Sequence, residues 1–219
     1  MPWIITFIGD IRGFYPSGNP EYVFPSKFSD VLTFKGGGSR VFGELYEGFL
    51  GWGYMGVGGG FRFFGTLDGV FRDNSIYVGG KYKGFGISAI YGWVSIGDYY
   101  ENALGAMLSA GNRGEVLDVW ISAGYLYTPI IAFEGYFKGN FATLFINSFA
   151  RPGIYEVFTV GVILDFGDID VGGVYRNLGN TFGITVSHNI PLGFMNISVL
   201  NHEDLGEVIS FQNAFVFPR

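Results

Sequence analysis

Residues 48–69 read GFLGWGYMGVGGGFRFFGTLDG, and they combine aromatic side chains with a glycine at almost every second or third position. Glycine weakens strands and helices, whereas phenylalanine, tryptophan and tyrosine favour burial. Over the 219 residues of the chain, glycine occurs 37 times, aromatic residues make up 19% and charged residues only 15%. A water-exposed protein surface carries roughly 25–35% charged residues. The composition therefore indicates an exterior that does not face water.

The same composition excludes several classes of protein. A net charge of −6 and scattered basic residues argue against a nucleic-acid partner, because phosphate binding needs clustered lysine and arginine. Cysteine is absent, which excludes disulfides, thiolate metal sites and a cysteine nucleophile. No run approaches the roughly 18 apolar residues of a membrane-spanning helix. The apolar run Trp3–Ile8 also lacks the flanking features of a signal peptide.

Turn residues and alternating side chains predict an all-β chain. From Asn102 onward, turn-forming residues recur about every 11–15 positions, which is typical of a β-meander. Between them, side chains alternate with period two, as in 181–188, where Phe182, Ile184 and Val186 face away from threonine, glycine and serine. Such alternation predicts strands with one apolar face.

Two places complicate the strand pattern. The alternation changes parity near Lys83-Gly84, which indicates either a bulge or a tight turn. Near the start of the sequence, Trp3–Asp10 has the pattern of a first strand. The following residues 13–27 are rich in glycine, proline, serine and asparagine, and they predict a loop that forms a cap or an inward-folded plug.

The less apolar face of each strand indicates whether the apolar face points into the protein or outward. In a soluble sandwich or barrel, which is the alternative architecture, that face would be rich in charge. Here it is mostly glycine, serine, threonine, tyrosine and alanine, which suits the crowded lumen of a membrane barrel. Aromatic side chains near strand ends fit interfacial girdles, and they include Tyr99, Tyr100, Tyr125, Tyr127, Tyr136, Tyr155 and Tyr175.

Closure of the sheet follows from the cost of an open edge in lipid, where each unpaired backbone group costs several kcal/mol. We predict a single domain over 1–219, a closed antiparallel up-and-down transmembrane β-barrel. Dividing 219 residues by about 18 residues per strand and turn predicts about 12 strands, and the turn count allows 10 to 14.

The chain resembles bacterial outer-membrane β-barrel proteins in its alternating strands and in a final strand ending Phe215-Val216-Phe217. This ending is similar to the aromatic C-terminal signature recognised by the outer-membrane insertion machinery, although Pro218 and Arg219 follow it. The resemblance implies an outer-membrane location, a lipid bilayer around the barrel and the insertion machinery as a partner during assembly. A homo-oligomer is compatible with the sequence, because lipid-facing and subunit-facing apolar surfaces look alike.

Catalytic and metal-binding patterns are sparse. Ser187 and His188 are adjacent in a predicted strand, so their side chains point to opposite faces and cannot form a nucleophile–base pair. A turn holds His202 beside Glu203 and Asp204, which is the faint signal for a barrel-embedded hydrolase or a metal site. We therefore predict a protein that is not an enzyme and has no metal or cofactor.

The inward face supplies the functional prediction, a passive channel for small polar solutes or ions. A closed structural or adhesive barrel is the alternative, in which lumen charges satisfy one another. By alternation, the predicted pore-lining residues are Arg62, Asp68, Lys81, Asp118, Glu134, Lys138, Asp170, Arg176, Thr185, Ser187, Asn196, Ser198, Ser210 and Gln212.

Overall fold

A computed structural model describes residues 23–41, 44–153, 155–177, 180–203 and 206–217. Before the first strand lies a short 3-10 helix, Pro25–Lys27. The strands are β1 (Leu32–Val41), β2 (Leu45–Tyr54), β3 (Val57–Thr66), β4 (Phe71–Tyr82), β5 (Phe85–Ile96), β6 (Tyr99–Arg113), β7 (Leu117–Leu126), β8 (Thr128–Lys138), β9 (Ala142–Arg151), β10 (Tyr155–Asp165), β11 (Ile169–Arg176), β12 (Thr181–Ile190), β13 (Gly193–His202) and β14 (Gly206–Phe217).

Each strand pairs antiparallel with its neighbours in sequence, and β1 pairs with β14 to close the barrel. The closing seam runs in register from Leu32 opposite Phe217 to Val41 opposite Val208. Closure leaves no open sheet edge, so the backbone hydrogen bonds of the wall are made within the sheet. The predicted closed antiparallel up-and-down barrel is confirmed. Among the described residues, no helix has the length and apolar character needed to cross a membrane.

The barrel has 14 strands, so the prediction of about 12 is wrong, although 14 lies within the predicted range. The reason is the shortness of the turns. Two residues with positive φ, Lys83 at 47° and Gly84 at 83°, join β4 to β5, and Met55 and Gly56 join β2 to β3 in the same way. Such turns match the twist of the paired strands. They leave about 13 residues for each strand with its turn over 32–217, rather than about 18.

The parity change at Lys83-Gly84 is therefore a tight turn and not a bulge. Two other predictions fall on undescribed residues. The strand over Trp3–Asp10 lies outside the described part of the chain, as do residues 13–22 of the predicted loop 13–27.

The outer surface of the barrel is apolar, as the alternation predicts. On β13, for example, Ile197 and Val199 are exposed, whereas Asn196 and Ser198 are buried. The other strands also expose leucine, isoleucine, valine and phenylalanine, whereas exposed charged residues, such as Glu101 and Glu207, lie near strand ends. An apolar exterior around a more polar interior is the arrangement of a membrane barrel.

Aromatic side chains are exposed at strand ends, including Tyr99, Tyr100 and Tyr125. Two of the predicted girdle residues point inward instead. Tyr127 has φ 59° at the junction of β7 and β8, and its ring packs over Gly92 on the inner wall, because the positive φ ends the alternation there. The Tyr136 ring packs against the interior cluster, because β8 presents its even positions inward. The side chain of Tyr155 lies outside the described residues.

The interior is divided into two sectors. Strands β11–β14 and β1–β3 present mainly small and polar side chains inward, as predicted, together with a smaller buried apolar cluster of Phe64, Leu200 and Val208. The inward face of β4–β10 instead carries a large apolar cluster, which corrects the expectation of a mostly small and polar lumen. Its buried wall residues are Tyr77, Ile90, Met107, Trp120, Leu126, Ile130, Ala132, Phe149 and Val157.

Candidate functional site

The structure places the predicted pore-lining residues on inward strand positions, with one exception. Asp68 lies in the turn after β3 and is exposed, and its carboxylate accepts a hydrogen bond from the Val70 backbone N–H at 3.1 Å. This prediction is wrong because β3 ends at Thr66, so the alternation does not extend to position 68. The Thr66 and Val70 hydrogen bonds lower the pKa of Asp68.

Four of the predicted residues form a buried, uncharged network on β12 and β13. Asn196 donates from its amide nitrogen to Thr185 Oγ1 at 2.6 Å and to Ser187 Oγ at 2.8 Å. Ser198 Oγ donates to Asn196 Oδ1 at 2.9 Å and lies 2.8 Å from Thr185 Oγ1. Direct cross-strand pairing puts Thr185 opposite Ser198 and Ser187 opposite Asn196. The network lines the polar sector with hydroxyl and amide groups.

A buried ion pair faces the same sector from β2 and β3. Arg62 Nε donates to Glu47 Oε1 at 2.7 Å, and both side chains are nearly inaccessible. Beside Glu47, a cavity of about 10 Å³ is lined partly by Ser39, Ser210 and Gln212, which is room for about one water molecule. Among the described residues, Ser210 Oγ and Gln212 Oε1 have no hydrogen-bond partner. These groups can hydrogen-bond water or a small polar solute.

The remaining predicted residues tie neighbouring strands together. Lys138 Nζ donates to Asp118 Oδ1 at 2.7 Å and to the Gly114 carbonyl at 3.1 Å. Arg176 Nε donates to Thr159 Oγ1 at 3.0 Å, and Asn189 donates to Asp170 Oδ2 at 3.3 Å. Lys81 pairs with Asp30, which precedes β1, at 2.8 Å. The Lys138, Arg176 and Asp170 contacts bridge adjacent strands, and Lys81 binds the segment before β1, so the predicted residues do not converge on a single charged ring.

Residues 23–28, which precede β1, lie inside the barrel. Val23, Phe24 and Phe28 are buried in the apolar cluster of β4–β10. The backbone N–H of Ser26 donates to Ser109 Oγ on β6 at 2.8 Å. We call Val23–Phe28 the inserted segment.

Lys27 is the charged residue of the inserted segment, and its side chain contacts the barrel wall. Its ammonium lies 2.6 Å from Glu134 Oε2, and Glu134 is fully buried. The same ammonium lies 4.2 Å from the centroid of the Trp120 ring. Burial lowers the pKa of Lys27 below its ordinary value, and the charge of Glu134 opposes that shift. Glu134 was predicted from alternation; Lys27, Trp120 and Glu47 were not among the predicted site residues.

The residues considered for catalysis do not form a site in the described part of the chain. His188 is on the outward face of β12, with Nδ1 3.2 Å from the Asp168 carbonyl oxygen, while Ser187 faces inward. Glu203 accepts a hydrogen bond from Asn180 at 2.7 Å. The side chain of His202 and residue 204 lie outside the described residues. Within the ranges that the structure describes, no group of three or more histidine, aspartate or glutamate side chains is placed to hold a metal.

Comparisons with known proteins give a fold but no sequence family. No protein-family model matches the chain, and no curated protein is significantly similar to it in sequence. Among solved structures, the chain is similar to the Acinetobacter baumannii outer membrane protein Omp33, with a TM-score of 0.58 and 9% identity over 85% of this chain and 98% of that one. It is also similar to the KdgM porin, with a TM-score of 0.51 and 9% identity over 85% of this chain and 99% of that one. The chain thus has the fold of bacterial outer-membrane barrel proteins, and that predicted class is confirmed at the level of fold.

Proposed function

We propose that this protein is a bacterial outer-membrane channel that passes small polar solutes or ions. The observation that carries the proposal is the polar sector of the lumen, which contains both the Asn196 network and the Glu47–Arg62 pair inside a barrel with an apolar exterior. These groups are buried in the structure, so they contact a solute only when the lumen opens; hydroxyl and amide groups then replace part of the solute's hydration shell, and the charged pair adds a local field. The protein contributes no chemical step, since its role is to provide a path of suitable width and polarity.

Location and partners belong to the same proposal. The apolar exterior supports insertion in a lipid bilayer, and the final strand β14 ends at the aromatic Phe217, which is compatible with recognition by the outer-membrane insertion machinery. Fractionation of the source cells tests the location, and cross-linking in native membranes tests whether copies of the chain associate.

A closed structural or adhesive barrel is the second candidate, and a specific observation favours it. The inserted segment fills part of the lumen, and the side chains of the Asn196 network are almost inaccessible to water. In this alternative, the interior hydrogen bonds and ion pairs stabilise a closed barrel. The protein would then insert in membranes without conducting.

Planar-bilayer recording of the purified protein separates the two candidates. Ser198→Trp places a large ring on the inward face of β13, whereas Val199→Trp places the same ring on its outward face. We expect measurable conductance for the wild-type protein, a clear reduction for Ser198→Trp and little change for Val199→Trp. Heat-modifiable electrophoretic migration checks that both variants fold. The channel would be contradicted, and the closed barrel favoured, if the wild-type protein showed no conductance with any of the salts and small polar solutes tested. The same absence of conductance would have to persist when the inserted segment is displaced.

A further inference from the structure

The ammonium group of Lys27 sits in a box made by one carboxylate and three aromatic rings. Glu134 Oε2 lies 2.6 Å from Lys27 Nζ, and the Trp120 ring centroid lies 4.2 Å from it. The rings of Tyr136 and Phe24 are each 5.5 Å away. A carboxylate combined with aromatic faces is a chemistry that recognises alkylammonium ions, because the ring quadrupoles and the anion attract the same cation.

The barrel wall builds this box without help from the inserted segment, apart from the ring of Phe24. Trp120 on β7 and Glu134 on β8 are direct cross-strand neighbours. The hydroxyl of Tyr136 donates to Glu134 Oε1, so that both carboxylate oxygens are engaged when Lys27 is present. The groups that face the ammonium are therefore held on paired strands, which are more rigid supports than loops.

We propose that Trp120, Glu134 and Tyr136 form an alkylammonium-binding site in the lumen and that Lys27 is its tethered occupant, which keeps the inserted segment in place as a plug. The wall is shaped for this segment. A Cβ added at Gly86 would lie 2.2 Å from the backbone nitrogen of Ser26, and one added at Gly58 would lie 2.8 Å from the Phe28 ring. The absence of side chains at these glycines lets the inserted segment lie directly against β3 and β5.

This inference deepens the proposed function, and its statement about gating rests on that function. If Lys27 leaves the box, the site becomes available to a free primary amine, which would then compete with the tethered ammonium. Tethering gives Lys27 a local concentration in the millimolar range or above, so competing amines must be supplied at similar levels. Small primary amines are accordingly the solute class expected to open the plug.

Binding is tested without any conductance measurement. The variant Lys27→Ala removes the propylammonium end of the side chain, and n-propylammonium chloride is added to the folded protein in detergent. At ten times its dissociation constant, the amine should raise the apparent unfolding temperature of this variant by about 3–6 °C. Sodium chloride and n-propanol at the same concentration should not, and the shift should disappear in Lys27→Ala/Glu134→Gln. No shift, or an equal shift without Glu134, would overturn the site.

Chemical labelling of the lysines supplies a second readout that does not depend on the folding of the Lys27→Ala variant. In the wild-type protein, an amine-acetylating reagent should modify Lys27 at least tenfold more slowly than the exposed Lys83, and mass spectrometry measures both rates. Glu134→Gln, which keeps the shape of the side chain, should increase the labelling of Lys27 and leave that of Lys83 unchanged. Equal labelling of the two lysines in the wild-type protein would refute the tethered occupant.

Gating is then tested by conductance. Lys27→Met keeps most of the side-chain stem and removes the charge, so it should raise the open fraction about tenfold or more, because loss of one partner of a buried ion pair is strongly destabilising. Lys83→Met, which removes an exposed charge in the β4–β5 turn, is the matched control and should behave like the wild-type protein.

A disulfide lock separates failure of the plug from failure of the channel. The chain has no cysteine, and Ser26 N lies 2.8 Å from Ser109 Oγ. In Lys27→Met carrying Ser26→Cys and Ser109→Cys, oxidation should close the channel and reduction should reopen it. If conductance is unchanged by Lys27→Met and by oxidation of the disulfide lock, the plug is refuted but the channel is not. Silence of every variant refutes the channel, whereas the binding and labelling results still decide the alkylammonium site.

Discussion

Replacing Ile197 by arginine tests whether the outward face of β13 contacts hydrocarbon. Ile197 lies near the middle of β13, and its side chain is 56% exposed. Its direct neighbours across the sheet, Val186 and Phe211, are also exposed. In a bilayer, these side chains form part of the lipid-facing belt.

The expected cost has two parts. Full burial of an isoleucine side chain is worth about 1.5–3 kcal/mol, so loss of hydrocarbon contact over 56% of the Ile197 side chain costs about 1–2 kcal/mol. An arginine at the midplane of a membrane barrel adds about 2–4 kcal/mol. Together, the substitution should lower the free energy of unfolding in the bilayer by about 3–6 kcal/mol.

Equilibrium unfolding by guanidinium chloride in lipid vesicles, followed by tryptophan fluorescence, measures this loss. Asn201→Arg is the control, because residue 201 is exposed on the same face but near the end of β13, where an arginine costs about 0–1 kcal/mol. Equal stability of Ile197→Arg and Asn201→Arg, or an Ile197→Arg protein that stays monodisperse without detergent, would refute the lipid-facing assignment.

Three further substitutions test the interior and the turns. Gly86→Ala would place a Cβ 2.2 Å from Ser26 N and should displace the inserted segment. Limited proteolysis should detect this displacement as faster cleavage before β1. Gly173→Ala is the control, because the space around its Cβ is open, and it should leave the cleavage rate unchanged. Gly84→Ala puts a side chain at φ 83° and should lower the free energy of unfolding by about 1–2 kcal/mol; an unchanged denaturation midpoint would contradict the tight turn. Asn196→Ala leaves buried hydroxyls with fewer partners and should cost about 1–3 kcal/mol in the same unfolding assay, whereas a neutral result would mean that the network is not buried as described.

The faces of the strands could be predicted from sequence because a period-two pattern with one apolar side is specific to strands that separate two environments. On β13, the series Asn196, Ile197 and Ser198 already separates lumen from exterior. The number of strands was harder to predict, because two-residue turns such as Lys83-Gly84 carry little turn signal between long apolar runs. Each turn of this kind shortens the repeat and raises the strand count.

The apolar sector of the lumen could not be predicted from alternation. In β8, Ile130, Ile131, Ala132 and Phe133 are consecutive apolar residues, so both faces look alike and the inward one is not distinguished. A continuous apolar run does indicate a strand buried on both sides, so the run itself carries a signal for an apolar interior. Glu134 within this run is predictable as an inward acid, but its partner is 107 positions away in sequence and no local pattern links the two.

The outward orientation of the apolar faces is tested most directly by a single-cysteine scan of residues 194–201 in the folded protein in lipid vesicles, which is straightforward because the chain contains no cysteine. Each cysteine is labelled with an environment-sensitive fluorophore and exposed in turn to a lipid-soluble and a water-soluble quencher. We expect quenching from the lipid phase to alternate with period two and to peak at residues 195, 197 and 199, with weak lipid quenching at 194, 196 and 198. Lipid quenching without alternation, or strong quenching of residue 197 from water, would contradict the membrane barrel.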